Sequence, residues 1–444
     1  MLIEFRVRNF RSFKDEQVLS MVLGATSDNS LLEDNSFPVE QFGERRLLRT
    51  AAIYGPNASG KTNLIAGFEF IRRFIKSAID RDPDDEIPVE PFRLDAATQN
   101  APSEFELTFI QEGVRYQYGL KLDRQRIHEE WLYAYPKGQR QKWFERKINS
   151  ATGADWSLGS DSFGSKLTGK REDLKLKTRP NTPFLSVAAK FNHPQLSNVY
   201  RWLSVNLRVV RADSPWLMAN SFTARRSKAD ETFRQQVGAL LRAADFGVRD
   251  FIIEEREHRA DELPPIFNAD FRAMLLNQKT QVVRTVHAAS GQPDRDILFL
   301  LQDESLGTQR FFELSGILLD TLANGWTLAV DELDASLHPN LVRELVALFH
   351  NRALNSRNAQ LIFNTHDTSL LDSTFLRRDQ IWFTEKDRHG ASHLYSLFDY
   401  VSPRKGEALQ KNYLLGRYGA VPILAESLAE YITHGKAPQA QTVS

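Results

Sequence analysis

An α/β fold, with a parallel sheet, an antiparallel β subdomain and a mainly helical insertion, is predicted by three observations. The first is Gly55-Pro56-Asn57-Ala58-Ser59-Gly60-Lys61-Thr62, set between the apolar run Ala51-Ala52-Ile53-Tyr54 and a long amphipathic pattern. The second is the apolar run Thr327-Leu328-Ala329-Val330, which ends in Asp331-Glu332 far downstream. The third is a period-two alternation from Ser103 to Ile148, broken by turn signals, which reads as an antiparallel meander.

The first stretch is a phosphate-binding loop. Backbone N–H groups of Asn57, Ala58, Ser59 and Gly60, turned inward by the glycines, join the positive end of the following helix in a concave site for a β-phosphate. Lys61 reaches the β- and γ-phosphates, and the Thr62 hydroxyl takes one position on Mg²⁺. Leu64, Ile65, Phe68, Ile71, Phe74, Ile75 and Ile79 recur at helical spacing, so strand, loop and helix come in the order the motif needs. A plain glycine turn would not account for the lysine and threonine together.

Before this loop, Leu2 to Phe10 alternates apolar and charged residues as a half-buried strand does, and a second strand is expected over Val18 to Leu23. Gly24 to Arg46 has no period and reads as loop. Arg81-Asp82-Pro83-Asp84-Asp85 is a solvated breaker rather than a metal site. Within the meander, Tyr116, Tyr118, Trp131, Tyr133, Tyr135, Trp143 and Phe144 could stack bases, but sheet core is the more ordinary fate of such residues.

From 151 to 295 the character changes, with a Gly/Ser-rich linker over Gly159 to Gly164 and helical patterns such as Phe222 to Ala244. No sustained heptad appears, which excludes a long coiled-coil arm. A basic run, Lys166, Lys170, Arg171, Lys175, Lys177 and Arg179, joined by Arg225, Arg226 and Lys228, is the best candidate for a nucleic-acid or phosphate contact, but a solvated surface is its more ordinary fate, since Glu172 and Asp173 interrupt it. Composition supplies no wider field for such a partner, because 57 basic and 57 acidic residues cancel over 444 positions. The absence of cysteine removes disulfides and cysteine-based metal sites. With no signal pattern and no apolar run long enough for a bilayer, a cytoplasmic protein without membrane contact is expected.

The strand ending in Asp331-Glu332 brings two acids to the mouth of a parallel sheet, where ligands bind. Asp331 suits Mg²⁺, and Glu332 suits the polarisation of an attacking water. Upstream, Glu304-Ser305-Leu306-Gly307-Thr308 opens an apolar helix whose N-terminus can take an anion. Downstream, Leu333-Asp334-Ala335-Ser336-Leu337-His338-Pro339 leads into another helix, and Leu361-Ile362-Phe363-Asn364-Thr365-His366 is a strand with a histidine at its carboxyl end. There His366 could touch a γ-phosphate.

This order of motifs resembles the ABC-type ATPases of the SMC, RecF and OLD group. Asn9-Phe10-Arg11-Ser12-Phe13 and the stretch Tyr413 to Pro422 more narrowly resemble RloA-like AAA proteins of abortive-infection and phage-defence operons. The resemblance implies a P-loop NTPase of ABC-ATPase head type that binds ATP and Mg²⁺. It divides the chain into an amino-terminal ATPase part (1–150) with the β meander, an insertion (151–295), and a carboxyl-terminal ATPase part (296–444). Lys61, Thr62 and Asp331 then serve phosphate and metal, Glu332 is the base and His366 the switch. Ser305 and Gly307 would bind the γ-phosphate held by an opposite subunit, Asp334 would line the dimer seam, and Arg11 with Ser12 would approach the nucleotide. Leu306 departs from the family signature, Leu-Ser-Gly-Gly-Gln.

The implied activity is ATP hydrolysis by a nucleotide-gated homodimer, or a higher homo-oligomer, that regulates an anti-phage system. OLD proteins carry a toprim nuclease after this ATPase. Here Asp367, Asp372, Asp379, Glu385 and Asp387 form no metal constellation, so such an effector would be a separate protein. A RecF-like DNA-repair ATPase and a nucleotide-gated scaffold that barely hydrolyses are the alternatives.

Overall fold

Six strands make the central sheet of the computed structural model, in the order Leu207–Val210, Thr327–Val330, Gln360–Asn364, Thr50–Tyr54, Ile381–Lys386 and Ser392–Ser396. The first five are parallel and the last is antiparallel. The structure describes residues 1–25, 29–40, 43, 45–149, 153–158, 171–212, 221–257, 279–399 and 408–422. Thr50–Tyr54 is buried at every position, and its pleat sends Ala51 and Ile53 into one core and Ala52 and Tyr54 into the other. Register sets Val330 beside Phe363 and Phe363 beside Ala52. The three strands therefore end almost level, and Gly55, Asp331 and Thr365 leave the sheet along one edge.

Helix Lys61–Ser77 covers one face, burying Leu64, Ile65, Phe68, Ile71, Phe74 and Ile75. Each such side chain, fully buried, contributes about 1.5–3 kcal/mol. Ile79 falls beyond the helix, in the 3₁₀ turn Ala78–Asp80. Against the same core lies a seven-stranded antiparallel sheet in which Leu2–Arg8 pairs with both Gln17–Ser20 and Ser103–Gln111. Phe5 from this sheet stacks on Phe68 with ring centroids 4.1 Å apart. The meander continues through Val114–Leu122, Ile127–Tyr135 and Gln141–Asn149 as the alternation predicts, then adds Gly153–Leu158. Tyr116, Tyr118, Tyr133, Trp143 and Phe144 are buried in it, which is the core role.

The second face of the central sheet carries helices Leu306–Asn324 and Pro339–His350. The stretch 151–295 supplies helices and also strands. Leu207–Val210 is the edge of the central sheet, while Asp250–Glu257 and Lys279–Ala289 form a three-stranded antiparallel sheet with Gln292–Leu300. The helical run predicted over Phe222 to Ala244 is two helices, Phe222–Ala229 and Glu231–Ala243. Asp230 separates them and caps the second, its carboxylate accepting from the Phe233 N–H at 3.1 Å. Within Gly24 to Arg46, expected as loop, a short helix Leu32–Asn35 precedes Ser36–Pro38, which pairs with Arg46–Leu48. Such elements are too short to show a period. Among the described residues no helix is long and apolar enough to cross a membrane.

Candidate functional site

The phosphate loop is shaped by what lies under it. Gly55 and Gly60 sit at φ 153° and 115°, and Ala58 also takes a left-handed φ of 62°. A Cβ on Gly55 would stand 2.3 Å from the Thr384 carbonyl oxygen, and one on Gly60 would stand 2.5 Å from the Ser392 hydroxyl. Only glycine allows this approach to the neighbouring strands. Ser59 shares a hydrogen bond of 2.6 Å with the Thr384 hydroxyl. Gly60 then leads directly into helix Lys61–Ser77, so the helix N-terminus faces the loop.

Lys61 folds over the loop, its ammonium donating to the carbonyls of Gly55 at 2.7 Å and Pro56 at 3.0 Å. Burial pushes its pKa down to about 8, against the attraction of Glu332, Asp334 and Asp331. The same three acids act on the buried Arg310. The strand end and the phosphate loop thus form one electrostatic neighbourhood.

Asp331 extends its strand by donating its N–H to the Val210 carbonyl at 2.8 Å. Its carboxylate accepts from the Asn364 amide at 2.6 Å, while the Asn364 carbonyl oxygen accepts from the Glu332 N–H. Arg310 closes the other side, donating to the carbonyls of Asp331, at 3.1 Å, and Glu332. Between these clamps Glu332 adopts φ 51°, a conformation that costs a non-glycine residue on the order of 1–3 kcal/mol and persists where its surroundings enforce it. Sequence reasoning missed both clamps. Their signals were an amide ending an apolar strand and an arginine inside the apolar stripe of a helix.

The donor set suits Mg²⁺, since the Thr62 hydroxyl and the Asp331 carboxylate are hard oxygens. Among the described residues no cluster of three or more His, Asp or Glu side chains could hold a metal by itself. An ion here would draw its remaining ligands from phosphate and water.

His366 donates its backbone N–H to the Asp334 carboxylate at 3.1 Å. Burial, then the charge of Lys61, holds its imidazole below the usual histidine range, with Asp334 and Glu332 opposing. This favours the neutral ring, in which one nitrogen donates a hydrogen bond and the other accepts one. The second Asp334 oxygen is buried with no partner among the described residues.

Ser305 caps helix Leu306–Asn324, its hydroxyl accepting from the Thr308 N–H at 3.1 Å. Gly307 backs onto the Asp334–Pro339 loop, and Leu306 beside it is 69% exposed. Glu304 is tied to the insertion, its carboxylate accepting from the Thr285 hydroxyl and sharing a hydrogen bond of 2.7 Å with His287.

Arg11 and Ser12 part company. Ser12 reaches the loop, accepting from the Asn63 amide at 2.8 Å and lying 3.1 Å from the place of a Cβ on Gly60. Arg11, at φ 50°, turns to Glu90 with a 3.1 Å ion pair and lines a cavity on the flank of helix Lys61–Ser77. In the basic run, Lys166 and Lys170 lie outside the described residues, as does the side chain of Arg171. Lys175 lies over Trp156 and Lys177 over Phe191, and Arg179 donates to the Ile79 carbonyl at 3.1 Å.

A family model described as "AAA domain, putative AbiEii toxin, Type IV TA system" matches residues 51–372. No curated protein matches the chain significantly. Among solved structures it is similar to an SMC head bound to the C-winged helix domain of ScpA, at 12% identity and a TM-score of 0.42, covering 89% of this chain and 97% of that one. The SMC head domain from Thermotoga maritima follows at 14% identity and 0.37, covering 89% and 98%. The recombination mediator protein RecF in the RecFOR pathway is similar at 13% and 0.33, covering 89% and 98%.

Proposed function

The chain belongs to this AAA-domain family, and from that premise we propose that it is an ATPase in which two copies close over two ATP molecules. The reading rests on one observation: Lys61 at the helix N-terminus shares its surroundings with Asp331, Glu332 and His366, brought there from three strands of one sheet. The loop N–H groups and Lys61 hold the β- and γ-phosphates. Glu332, fixed in the left-handed region by Asn364 and Arg310, polarises the attacking water. His366 donates a hydrogen bond to the γ-phosphate. Thr62 and Asp331 would hold Mg²⁺, which when bound would neutralise developing phosphate charge.

A second copy completes the site. Ser305 and the exposed Leu306 stand at a helix N-terminus that, with Gly307, would take the γ-phosphate held by the opposite subunit, and Gly307 lies against the Asp334 loop of its own chain. ATP binding closes the dimer across this surface and hydrolysis opens it. The family description, which names a toxin of a toxin–antitoxin system, supports a place for this cycle in defence; within it we take the chain as the regulatory ATPase of an abortive-infection system with a separate effector, of which a toprim nuclease is one class.

The test is Glu332→Gln, measured by ATP turnover and light scattering. The variant is expected to bind ATP and stay dimeric while turnover falls about 10²–10⁴-fold. Turnover at the parent rate removes Glu332 as the base.

A further inference from the structure

Helix Leu306–Asn324 is gripped by elements that lie far from the phosphate loop in sequence. Phe251, on the three-stranded sheet, meets Phe312 edge to face with centroids 5.1 Å apart. Thr223 donates its hydroxyl to the Glu313 carbonyl at 2.9 Å and packs so closely on Gly316 that a Cβ there would stand 2.3 Å from it. A third contact acts at the N-terminus itself, through Glu304, the residue before Ser305.

The Glu304 side chain is only 12% exposed. One of its oxygens accepts from the Thr285 hydroxyl and shares a hydrogen bond of 2.7 Å with His287 Nε2. An ionised carboxylate only accepts, so both neighbours act as donors. They stand two residues apart on one face of strand Lys279–Ala289. Thr285 is fully buried, and the His287 ring meets Phe299 edge to face, with centroids 5.2 Å apart.

The Glu304 backbone is held as well. Its N–H donates to the Leu301 carbonyl at 3.2 Å, and its carbonyl accepts from the Gln309 amide at 2.7 Å. Glu304 therefore bridges a strand of the three-stranded sheet and the first turn of the helix. As filler, an apolar residue would pack as well as a carboxylate withdrawn from water. What two hydrogen bonds to a carboxylate add is direction, because they hold distance and angle within narrow bounds. The residue so fixed adjoins Ser305, whose hydroxyl accepts from the Thr308 N–H at 3.1 Å. Among the described residues, the side-chain hydrogen bonds of Thr285 and His287 run to Glu304 and to the Phe299 carbonyl, and none runs to the phosphate loop.

We propose that Thr285 and His287 are positioning residues for the composite site. Acting through Glu304, they set where Ser305 and Gly307 meet the γ-phosphate held by the opposite subunit, so the three-stranded sheet governs hydrolysis without touching nucleotide. This role rests on the two-copy reading above. Its consequence is a defect felt in trans: a chain without these donors binds its own ATP and fails the ATP of its partner.

Thr285→Val and His287→Phe each remove a donor at nearly constant shape, and Glu304→Leu removes the acceptor. ATP turnover and the thermal shift produced by ATP are measured on the full chain. In His287→Phe and Glu304→Leu, kcat is expected to fall about 10-fold or more, as small misplacements of reacting groups do, with KM and the thermal shift little changed. Combining the two substitutions should add little, since both cut one link. Parent-like kcat in all three variants overturns the proposal.

The trans character is tested by mixing His287→Phe with Lys61→Ala. In a mixed dimer one composite site joins the intact phosphate loop of the first chain to the intact Ser305 end of the second, so turnover should rise above that of either variant alone. Thr285→Val carries the same arm should His287→Phe fail to fold. The control is Ser305→Arg mixed with Lys61→Ala. Recovery in the control alone overturns the positioning role and leaves the two-copy reading standing, whereas recovery in neither mixture overturns both.

Discussion

Gly307 and Ser336 touch so closely that a Cβ on Gly307 would stand 2.5 Å from the Ser336 carbonyl oxygen. Helix Leu306–Asn324 therefore rests on the loop that carries Asp334, with Ser336 itself at φ 61°. Gly307→Ala is expected to push that loop away, at a cost of about 1–3 kcal/mol for the overpacking. The midpoint of thermal unfolding should fall and ATP turnover with it. An unchanged midpoint would show that the contact yields freely.

Asn364 serves Asp331 and Glu332 at once, so Asn364→Leu orphans a buried carboxylate oxygen and the partly buried Glu332 N–H together. Turnover is expected to drop about 10–100-fold, as with other residues that orient metal ligands and bases. Nucleotide binding by the Lys61 side should persist. Parent-like kcat in a folded variant would remove Asn364 as the positioning residue.

Lys61→Ala is expected to abolish stabilisation by ATP in a thermal-shift assay, and Ser305→Arg to retain it while losing turnover. Mixing the two then separates composite from self-contained sites. In a mixed dimer one composite site carries both defects and the other carries neither, so activity should return up to the statistical share of mixed dimers. Ser305→Arg protein that stays monomeric and hydrolyses at the parent rate would rule out the dimer mechanism.

Glu313 lies buried on helix Leu306–Asn324. Burial pushes its pKa up to about 7, against the Ser221 hydroxyl and the charge of Arg225. An acid with a raised folded pKa binds more protons folded than unfolded. Its contribution is therefore full below about pH 4.5 and is lost as pH rises through about 7, on the order of 3 kcal/mol in total. Glu313→Gln should flatten this slope. Urea midpoints at pH 5, 6 and 8 check it, and parallel profiles for parent and variant would refute it.

Much of the candidate site could be read along the chain because it is local. The phosphate loop needs glycines, a lysine and a threonine in fixed order between a strand and a helix, and all of them lie within Ala51 to Thr62. The meander and the strand ending at Asp331-Glu332 declare themselves by period or by unbroken apolar character. The break at Asp230 was also local, but a capping acid inside a long apolar pattern is easily outvoted by the period around it.

What the amino-acid order determined by itself was the phosphate-loop pattern and the strands that carry Asp331, Glu332 and His366 to one edge, since strand pleat and loop geometry act over a few residues. Tertiary structure alone decided how those groups are held. Asn364 and Arg310 become clamps on Glu332 only when two strands and a helix from separate parts of the chain come together. Leu207–Val210 joins the central sheet by pairing with a strand more than a hundred residues away, which no local period records. Arg11 and Ser12 are neighbours in sequence, yet the left-handed turn at Arg11 sends one to Glu90 and the other to the phosphate loop. Long-range pairing and buried hydrogen bonds settle such choices, because a polar group withdrawn from water must find whatever partner the fold brings to it.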